Sequence, residues 1–231
     1  MSITENIAAI RAQIDEAARA TGRTGADITL VGASKMNGYD ACQEAIAAGI
    51  DALGENRVQE MTQKLEQNAY AGAPLHFIGH LQRNKVKQVV GKVALLQSAS
   101  SRELLAEIEK QAARLDIVQG VLLEVNIGGE EAKSGFDPAT LEQDAAFAAE
   151  LPHVKVLGLM TIPPVAVEIG ASTPYFEKMY RLYVDINQKL YDNKLKYLSM
   201  GMSGDFAQAI LCGSNMVRVG TAIFGARNYN I

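Results

Sequence analysis

Short hydrophobic runs alternate along the chain with amphipathic stretches of helical period. The short runs are rich in β-branched residues and predict eight strands, and most are followed by a segment whose apolar positions recur at helical spacing. The run over 52–54 is the weakest and is assigned mainly from its place in the alternation. The predicted strands span residues 28–34, 52–54, 76–79, 94–98, 120–127, 156–161, 197–201 and 216–224.

Local start signals mark several of the intervening helices. Ser2 and Glu5 have the spacing of a capping box ahead of an opening helix, and Ser100 and Glu103 have the same spacing further on. Pro138 stands where the first turn of a helix tolerates its missing N–H group. The helices predicted after the opening one span residues 39–48, 57–67, 82–90, 101–115, 138–150, 173–191 and 204–211.

A regular strand-then-helix alternation predicts a parallel sheet covered by helices. Eight such units in about 200 residues fit a closed (β/α)8 TIM barrel, with one additional N-terminal helix. The first strand is not followed by the GxGxxG of a Rossmann fold. No linker or change of composition interrupts the chain, so residues 1–231 are predicted to form a single domain. The loops over 128–137 and 163–172 would leave the carboxyl-terminal rim, where barrels place functional residues.

Composition and charge narrow the class of protein. The chain is 48% hydrophobic and 21% charged, which is typical of soluble globular proteins. A net charge of −4 gives no reason to expect nucleic acid as a partner. Charged residues such as Arg11 and Asp15 interrupt the opening segment, which excludes a signal peptide. Since no apolar run is long enough to span a bilayer, a cytoplasmic protein with no membrane partner is expected.

Cysteine and histidine usage predicts neither a redox centre nor a metal site. Cys42 and Cys212 each stand in an apolar, alanine-rich context, where a small buried hydrophobic side chain is the favoured interpretation. The histidines are too scattered along the chain to form a recognisable ligand set.

A lysine follows the first predicted strand. By the two-residue alternation of a strand, Lys35 shares a face with Ala33, Val31 and Thr29, whose small size leaves room for a bound group. A partly desolvated lysine at a barrel mouth can form a Schiff base with an aldehyde. Considered alone, however, a lysine at the end of a strand is better interpreted as a solvated side chain.

Glycines and hydroxyl residues cluster at the ends of the last two predicted strands. TIM barrels commonly bind phosphate at the loops after these strands, through backbone N–H groups at the start of a helix. Gly201, Gly204 and Gly220 would let the backbone approach closely, while Ser203 and Thr221 can donate hydroxyl groups. Ser203 also suits the N-cap of the following helix. Each residue alone is equally well explained by a turn or a cap, but their coincidence favours a phosphate site.

Arg218 interrupts the apolar eighth strand and shares a face with Gly220, so it is expected to point into the barrel mouth. A buried arginine needs a partner. That partner is either a carboxylate or a ring nitrogen of a cofactor.

Together these segments resemble the pyridoxal phosphate homeostasis protein family, formerly described as proline synthetase co-transcribed proteins. The resemblance covers nearly the whole chain, and the motifs occur in the family's order. It implies a fold shared with the barrel domain of alanine racemase. The segments that carry it are 31–35, 54–60, 76–85, 158–160, 199–203 and 218–225.

The resemblance implies a cofactor, pyridoxal 5′-phosphate (PLP), bound covalently to Lys35 as a Schiff base. Asn56 would contact the cofactor ring or its 3-hydroxyl side. The residues that would hold the phosphate are Ser203, Gly220 and Thr221. Arg218 would lie near the pyridine nitrogen, where it would disfavour protonation of that nitrogen and weaken the ring as an electron sink.

The chain departs from the family pattern at the rim of the site. Many relatives have lysine and proline where this chain has Asn37 and Gly38, tyrosine where it has Arg57, and proline where it has His80. These differences put rim contacts and the kinetics of PLP exchange in doubt, but not PLP binding. Lys133 matches a family lysine on a rim loop, and ordering that loop is favoured over a role as a second PLP acceptor.

Three functions are compatible with a Schiff-base lysine. The favoured one is an intracellular PLP carrier or reservoir, with apo PLP-dependent enzymes as recipients. The alternative is an amino-acid racemase, which needs a second acid or base facing the lysine. Racemases supply that group as a tyrosine from an extra β-domain, for which a chain ending at Ile231 is expected to have no room. We therefore assign no catalytic residue and expect a monomer. A lysine-dependent aldolase barrel would use the lysine without PLP.

Overall fold

In the computed structural model, which describes residues 2–164 and 170–225, eight parallel strands close into a barrel. Each strand pairs with its neighbour in sequence, and the last pairs with the first. The predicted (β/α)8 fold is therefore confirmed. The strands are β1 (Thr29–Ala33), β2 (Ala52–Glu55), β3 (Leu75–Phe77), β4 (Leu95–Ala99), β5 (Gln119–Val125), β6 (Val154–Thr161), β7 (Tyr197–Ser199) and β8 (Met216–Val219).

Helices surround the barrel. They are α1 (Ile3–Arg19), α2 (Tyr39–Ala47), α3 (Val58–Glu66), α4 (Arg102–Arg114), α5 (Leu141–Ala149), α6 (Thr173–Leu190), α7 (Phe206–Leu211) and α8 (Thr221–Phe224). The predicted capping box of α1 is present, with Ser2 Oγ accepting the Glu5 N–H and the Glu5 carboxylate accepting the Ser2 N–H. α1 packs its buried isoleucines against α2, α7 and α8. Among the residues described, no helix has both the length and the apolar character to cross a membrane.

The core has two parts, because alternate residues of each strand face opposite sides of the sheet. The larger part lies between the sheet and the helices and includes Leu30 and Leu53. A smaller apolar cluster fills the barrel itself and consists of Val31, Ala52, Leu95, Leu122, Met160 and Met216. Residues on the same face as this inner cluster point into the barrel, and those nearest the carboxyl ends of the strands line its mouth.

The eighth strand is shorter than predicted. It ends at Val219, and the predicted strand over 216–224 is wrong beyond that residue. Gly220 has φ −114° and ψ −80°, and its carbonyl oxygen accepts the N–H groups of Ile223 and Phe224 at 2.9 Å. The following four residues therefore form α8. Periodicity could not separate the two because a short apolar run fits either a strand or a helical turn.

Other element boundaries also differ from the sequence prediction. The helix predicted over 82–90 is a 3-10 helix, Arg83–Gln88, in which only Val86 is buried, so few apolar contacts favour a full α-helix. The N-cap of α4 is Ser101 and not Ser100, since Ser101 Oγ accepts the Leu104 N–H at 3.2 Å.

α5 begins three residues after the predicted Pro138. The Asp137 carboxylate accepts the Ala139 N–H at 2.8 Å and forms a turn that delays the helix to Leu141. The predicted rim loop over 128–137 is described in full. Residues 165–169 of the predicted loop over 163–172 lie outside the described residues.

Gly201 follows β7 and has φ +97°, and a Cβ atom there would lie 2.6 Å from the Cβ of Ala209 in α7. We expect Gly201→Ala to lower the free energy of unfolding by roughly 2–4 kcal/mol, because it adds both backbone strain and a steric overlap. Urea denaturation measures the change. Gly204→Ala is the matched control, since no atom lies within 4 Å of its added Cβ. Equal losses in the two variants would contradict this account of the turn.

Candidate functional site

Lys35 lies two residues beyond the end of β1, half-buried in the turn before α2, as the sequence predicts. Asn37 Nδ2 donates to the Lys35 carbonyl oxygen at 2.9 Å. Met36 has φ 62°, a left-handed conformation that is uncommon for residues other than glycine. The chain therefore turns sharply directly after the lysine, at the carboxyl-terminal mouth of the barrel.

Asn56 occupies the corresponding position after β2. Ala33 pairs with Gly54, so Lys35 and Asn56 follow adjacent strands at the same distance from that pair. The close approach of the Asn56 backbone requires Gly79, where a Cβ atom would lie 2.1 Å from the Asn56 carbonyl oxygen. Asn56 Oδ1 is buried and has no hydrogen-bond partner among the described residues. A hydroxyl group on a bound ring would supply the missing donor, so this residue fits the predicted cofactor.

Arg218 points into the barrel, as predicted, and is only 4% exposed. Its Nη1 donates to Ser199 Oγ at 2.6 Å and its Nη2 donates to the Thr161 carbonyl oxygen at 2.9 Å. Neither acceptor is a carboxylate. Burial lowers the pKa of Arg218 to about 10, while the charges of Glu124 and Asp205 oppose that change. The guanidinium is therefore still charged at neutral pH.

A chain of buried hydrogen bonds continues from Arg218 down the barrel. Ser199 Oγ donates to Gln97 Oε1 at 2.7 Å, and Gln97 Nε2 lies 3.0 Å from His76 Nδ1. Burial lowers the pKa of His76 to about 4, so the ring is neutral and Nδ1 accepts the amide proton. Ser199 and Gln97 each accept one hydrogen bond and donate another, which fixes the position of Arg218 from below.

Glu124 is a site residue that the sequence reasoning missed. It alternates with Leu122 of the inner cluster, and β5 lies opposite β1 in the ring of eight strands. Its Oε2 is buried without a partner among the described residues, and burial raises its pKa to about 7 although Arg218 opposes this. A lone charged residue in an apolar strand was the available signal, and the same signal had identified Arg218.

The residues predicted to hold phosphate lie together. Ser203 Oγ accepts the N–H groups of Gly220 at 3.2 Å and Ala222 at 3.4 Å, and Thr221 is the first residue of α8. The prediction that Ser203 caps the following helix is wrong. α7 begins at Phe206 with Asp205 in the N-cap position, because Ser203 turns toward the end of β8.

The rim loop after β5 is held by an ion pair and by hydrogen bonds to neighbouring loops. Lys133 forms an ion pair with Glu130, and its Nζ donates to the Pro163 carbonyl oxygen after β6 at 3.2 Å. Ser134 Oγ lies 2.8 Å from His80 Nδ1. These contacts are those expected of a lysine that orders its loop.

The two cysteines differ in environment. Cys42 is fully buried, as predicted, and burial raises the pKa of its thiol. Cys212 is only partly buried, because it lies at the end of α7 near the surface.

Within residues 2–164 and 170–225, no three His, Cys, Asp or Glu side chains are grouped as a metal site would require.

Comparison with known proteins identifies the family of the chain. The profile for the alanine racemase N-terminal domain matches residues 6–228. A pyridoxal phosphate homeostasis protein of Aquifex aeolicus is 43% identical over 99% of this chain and 100% of its own length. The chain belongs to the pyridoxal phosphate homeostasis protein family.

Solved structures extend the family relationship to the fold. An unknown protein from Bifidobacterium adolescentis superimposes with a TM-score of 0.90 at 36% identity, covering 96% of this chain and 94% of its own. PipY of Synechococcus elongatus with PLP bound gives 0.84 at 29% identity, covering 97% and 100%. An alanine racemase of Clostridium difficile gives 0.71 at 20% identity, covering 88% of this chain and 53% of the racemase, and shows the shared fold alone.

Glu124 should make stability depend on pH. Its pKa is raised on folding, so the stability it contributes is present below about pH 4.5 and is lost as pH rises to about 7. Between pH 5 and pH 8 we expect the wild type to lose about 2–3 kcal/mol of unfolding free energy relative to Glu124→Gln. Urea denaturation of both proteins at the two pH values measures this. A difference between them that is the same at both pH values would contradict the assignment.

Proposed function

We propose that this protein binds PLP, holds it as a Schiff base on Lys35, and acts as an intracellular carrier and reservoir of the cofactor. The order of the strands carries the proposal. The loops after β7, β8, β1 and β2 are neighbours at one end of the barrel and supply, in that order, Ser203, Gly220 with Thr221, Lys35 and Asn56. The PLP-bound structure of PipY supports the choice of ligand.

This order matches the order of substituents on the PLP ring. The ring carries its phosphate arm, its aldehyde and its hydroxyl on three consecutive carbons, and the aldehyde is the middle one. Lys35 follows β1, which lies between these two groups of residues. On one side are the hydroxyl and backbone N–H groups after β7 and β8, and on the other is the Asn56 Oδ1 after β2, which has no hydrogen-bond partner among the described residues. If the phosphate binds on the β8 side and the hydroxyl binds on the β2 side, the aldehyde between them lies at Lys35.

Arg218 favours storage of the cofactor over turnover. The pyridine nitrogen lies across the ring from the aldehyde, and Arg218 points into the barrel from β8. A guanidinium donates hydrogen bonds and has no acceptor. It therefore favours an unprotonated ring nitrogen. When bound, PLP supplies an aldehyde for Schiff-base chemistry and a ring that withdraws electrons, and Arg218 weakens the second property.

An amino-acid racemase remains the alternative. Glu124 is the observation that favours it, because this partly buried acid, whose Oε2 is buried, faces the barrel interior from the strand opposite β1. Interconversion of D- and L-amino acids by the wild type, lost in Glu124→Gln, would support the racemase.

We favour the carrier, assign no catalytic residue, and take the protein to be a cytoplasmic monomer. A protein that stays colourless with added PLP would instead favour the aldolase.

The covalent site can be located directly. With PLP, the protein should be yellow, and borohydride should abolish the Schiff-base absorbance and leave a reduced adduct that mass spectrometry maps to Lys35. Lys35→Ala should lose that adduct and most of the bound PLP, because the covalent bond is gone. Lys133→Ala is the control and should keep both. Equal PLP retention in Lys35→Ala and the wild type would refute the site.

Delivery can be separated from simple binding. Addition of the PLP-loaded protein to an apo PLP-dependent enzyme should restore activity faster than PLP leaves the loaded protein spontaneously. The comparison needs the release rate measured with a PLP scavenger and no enzyme present. Reactivation no faster than spontaneous release would limit the protein to a passive reservoir.

A further inference from the structure

Three charged side chains lie behind the turn that carries Lys35, and the proposed function does not use them. Lys64 of α3 is 5% exposed, and Glu55 at the end of β2 is fully buried. Glu60, in the first turn of α3, completes the group. We call Glu55, Glu60 and Lys64 the Lys64 cluster.

The members of the Lys64 cluster bind one another closely. Lys64 Nζ lies 2.5 Å from Glu55 Oε1 and 2.8 Å from Glu60 Oε1. Burial lowers the pKa of Lys64, but the two carboxylates raise it by more, so the ammonium is charged. Buried ion pairs often add little net stability, since desolvation offsets the attraction. Stability of the barrel is therefore a poor explanation for placing three charges here.

The same cluster binds the backbone on both sides of Lys35. Lys64 Nζ donates to the Ser34 carbonyl oxygen at 2.8 Å, and Ser34 Oγ donates to Glu55 Oε1 at 2.7 Å. On the other side, Glu60 Oε1 accepts the N–H of Met36. Because Met36 adopts a left-handed conformation, this hydrogen bond offsets the strain of the turn.

We propose that the Lys64 cluster positions Lys35 and thereby sets the rate of PLP release. This inference rests on the proposed function. Capture joins the Lys35 amine to the aldehyde and expels one water, and release consumes one water to restore both groups. A backbone fixed on both sides of Lys35 keeps the amine directed at the aldehyde, which raises its effective concentration. Loosening the turn should shift the balance toward free PLP.

Glu60 provides the sharpest test because it is partly exposed and its loss leaves Glu55 and Lys64 paired. Glu60→Ala should release PLP to a scavenger about tenfold faster, as expected for loss of a charged hydrogen bond. Glu60→Gln should recover most of the wild-type rate, since its amide oxygen can still accept the Met36 N–H. Glu66→Ala, an exposed change on the same helix, should match the wild type. Lys64→Met is avoided because it would leave Glu55 as a buried unpaired charge.

Hydrogen exchange of the Met36 amide in the PLP-free protein gives a readout that does not depend on the cofactor. We expect faster exchange in Glu60→Ala than in Glu66→Ala or the wild type. If the wild type forms no Schiff base on Lys35, the proposed function fails, and Met36 exchange still decides whether the cluster fixes the turn. Unchanged Met36 exchange in Glu60→Ala would overturn the inference. So would PLP release at the wild-type rate, or equally fast release from Glu66→Ala.

Discussion

The pairing of β8 with β1 is the constraint on which the site depends. It joins the two strands that are farthest apart in sequence, with Val31 opposite Arg218, and it closes the ring. A Cβ atom added to Gly220 would lie 3.4 Å from the Cβ of Ala33, so the end of β8 lies directly against the end of β1. Lys35 and the residues at the start of α8 are neighbours only because this pairing forms. Closure of so long a loop costs conformational entropy, which the two parts of the core must offset.

The barrel interior divides into an apolar part and a polar part with different tasks. The apolar cluster around Val31 and Leu122 packs the interior, whereas His76, Gln97, Ser199 and Arg218 form a hydrogen-bonded chain through it. A buried polar network is favourable only when its members have partners. This chain meets that condition while holding a cation under the mouth. Glu124 Oε2 has no hydrogen-bond partner among the described residues, and burial raises the pKa of this carboxyl.

The sequence predicted the barrel because strand and helix periodicities alternate clearly. It also placed Lys35 after the first strand, and side-chain alternation directed Arg218 into the barrel. It could not predict what depends on contacts between distant segments. Ser203 is a residue type that commonly caps helices, yet its hydroxyl accepts the N–H of Gly220, directly after β8. Periodicity had predicted that this strand continues to Phe224. The Lys64 cluster was invisible because Glu55 and Lys64 look like ordinary charged residues until β2 and α3 bury them.

The hydroxyl of Ser203 has a consequence for the proposed carrier, which would be empty for part of its cycle. Backbone N–H groups that receive an anion need another acceptor when the anion departs; at this rim Gly220 is partly buried and Ala222 is exposed, so a side chain or water can supply it. Here Ser203 Oγ already accepts the N–H groups of Gly220 and Ala222. An arriving phosphate would compete with a neutral internal substitute, and a departing one would leave its donors occupied. Under the proposed carrier function, this internal acceptor would reduce the difference in free energy between the loaded and the empty protein.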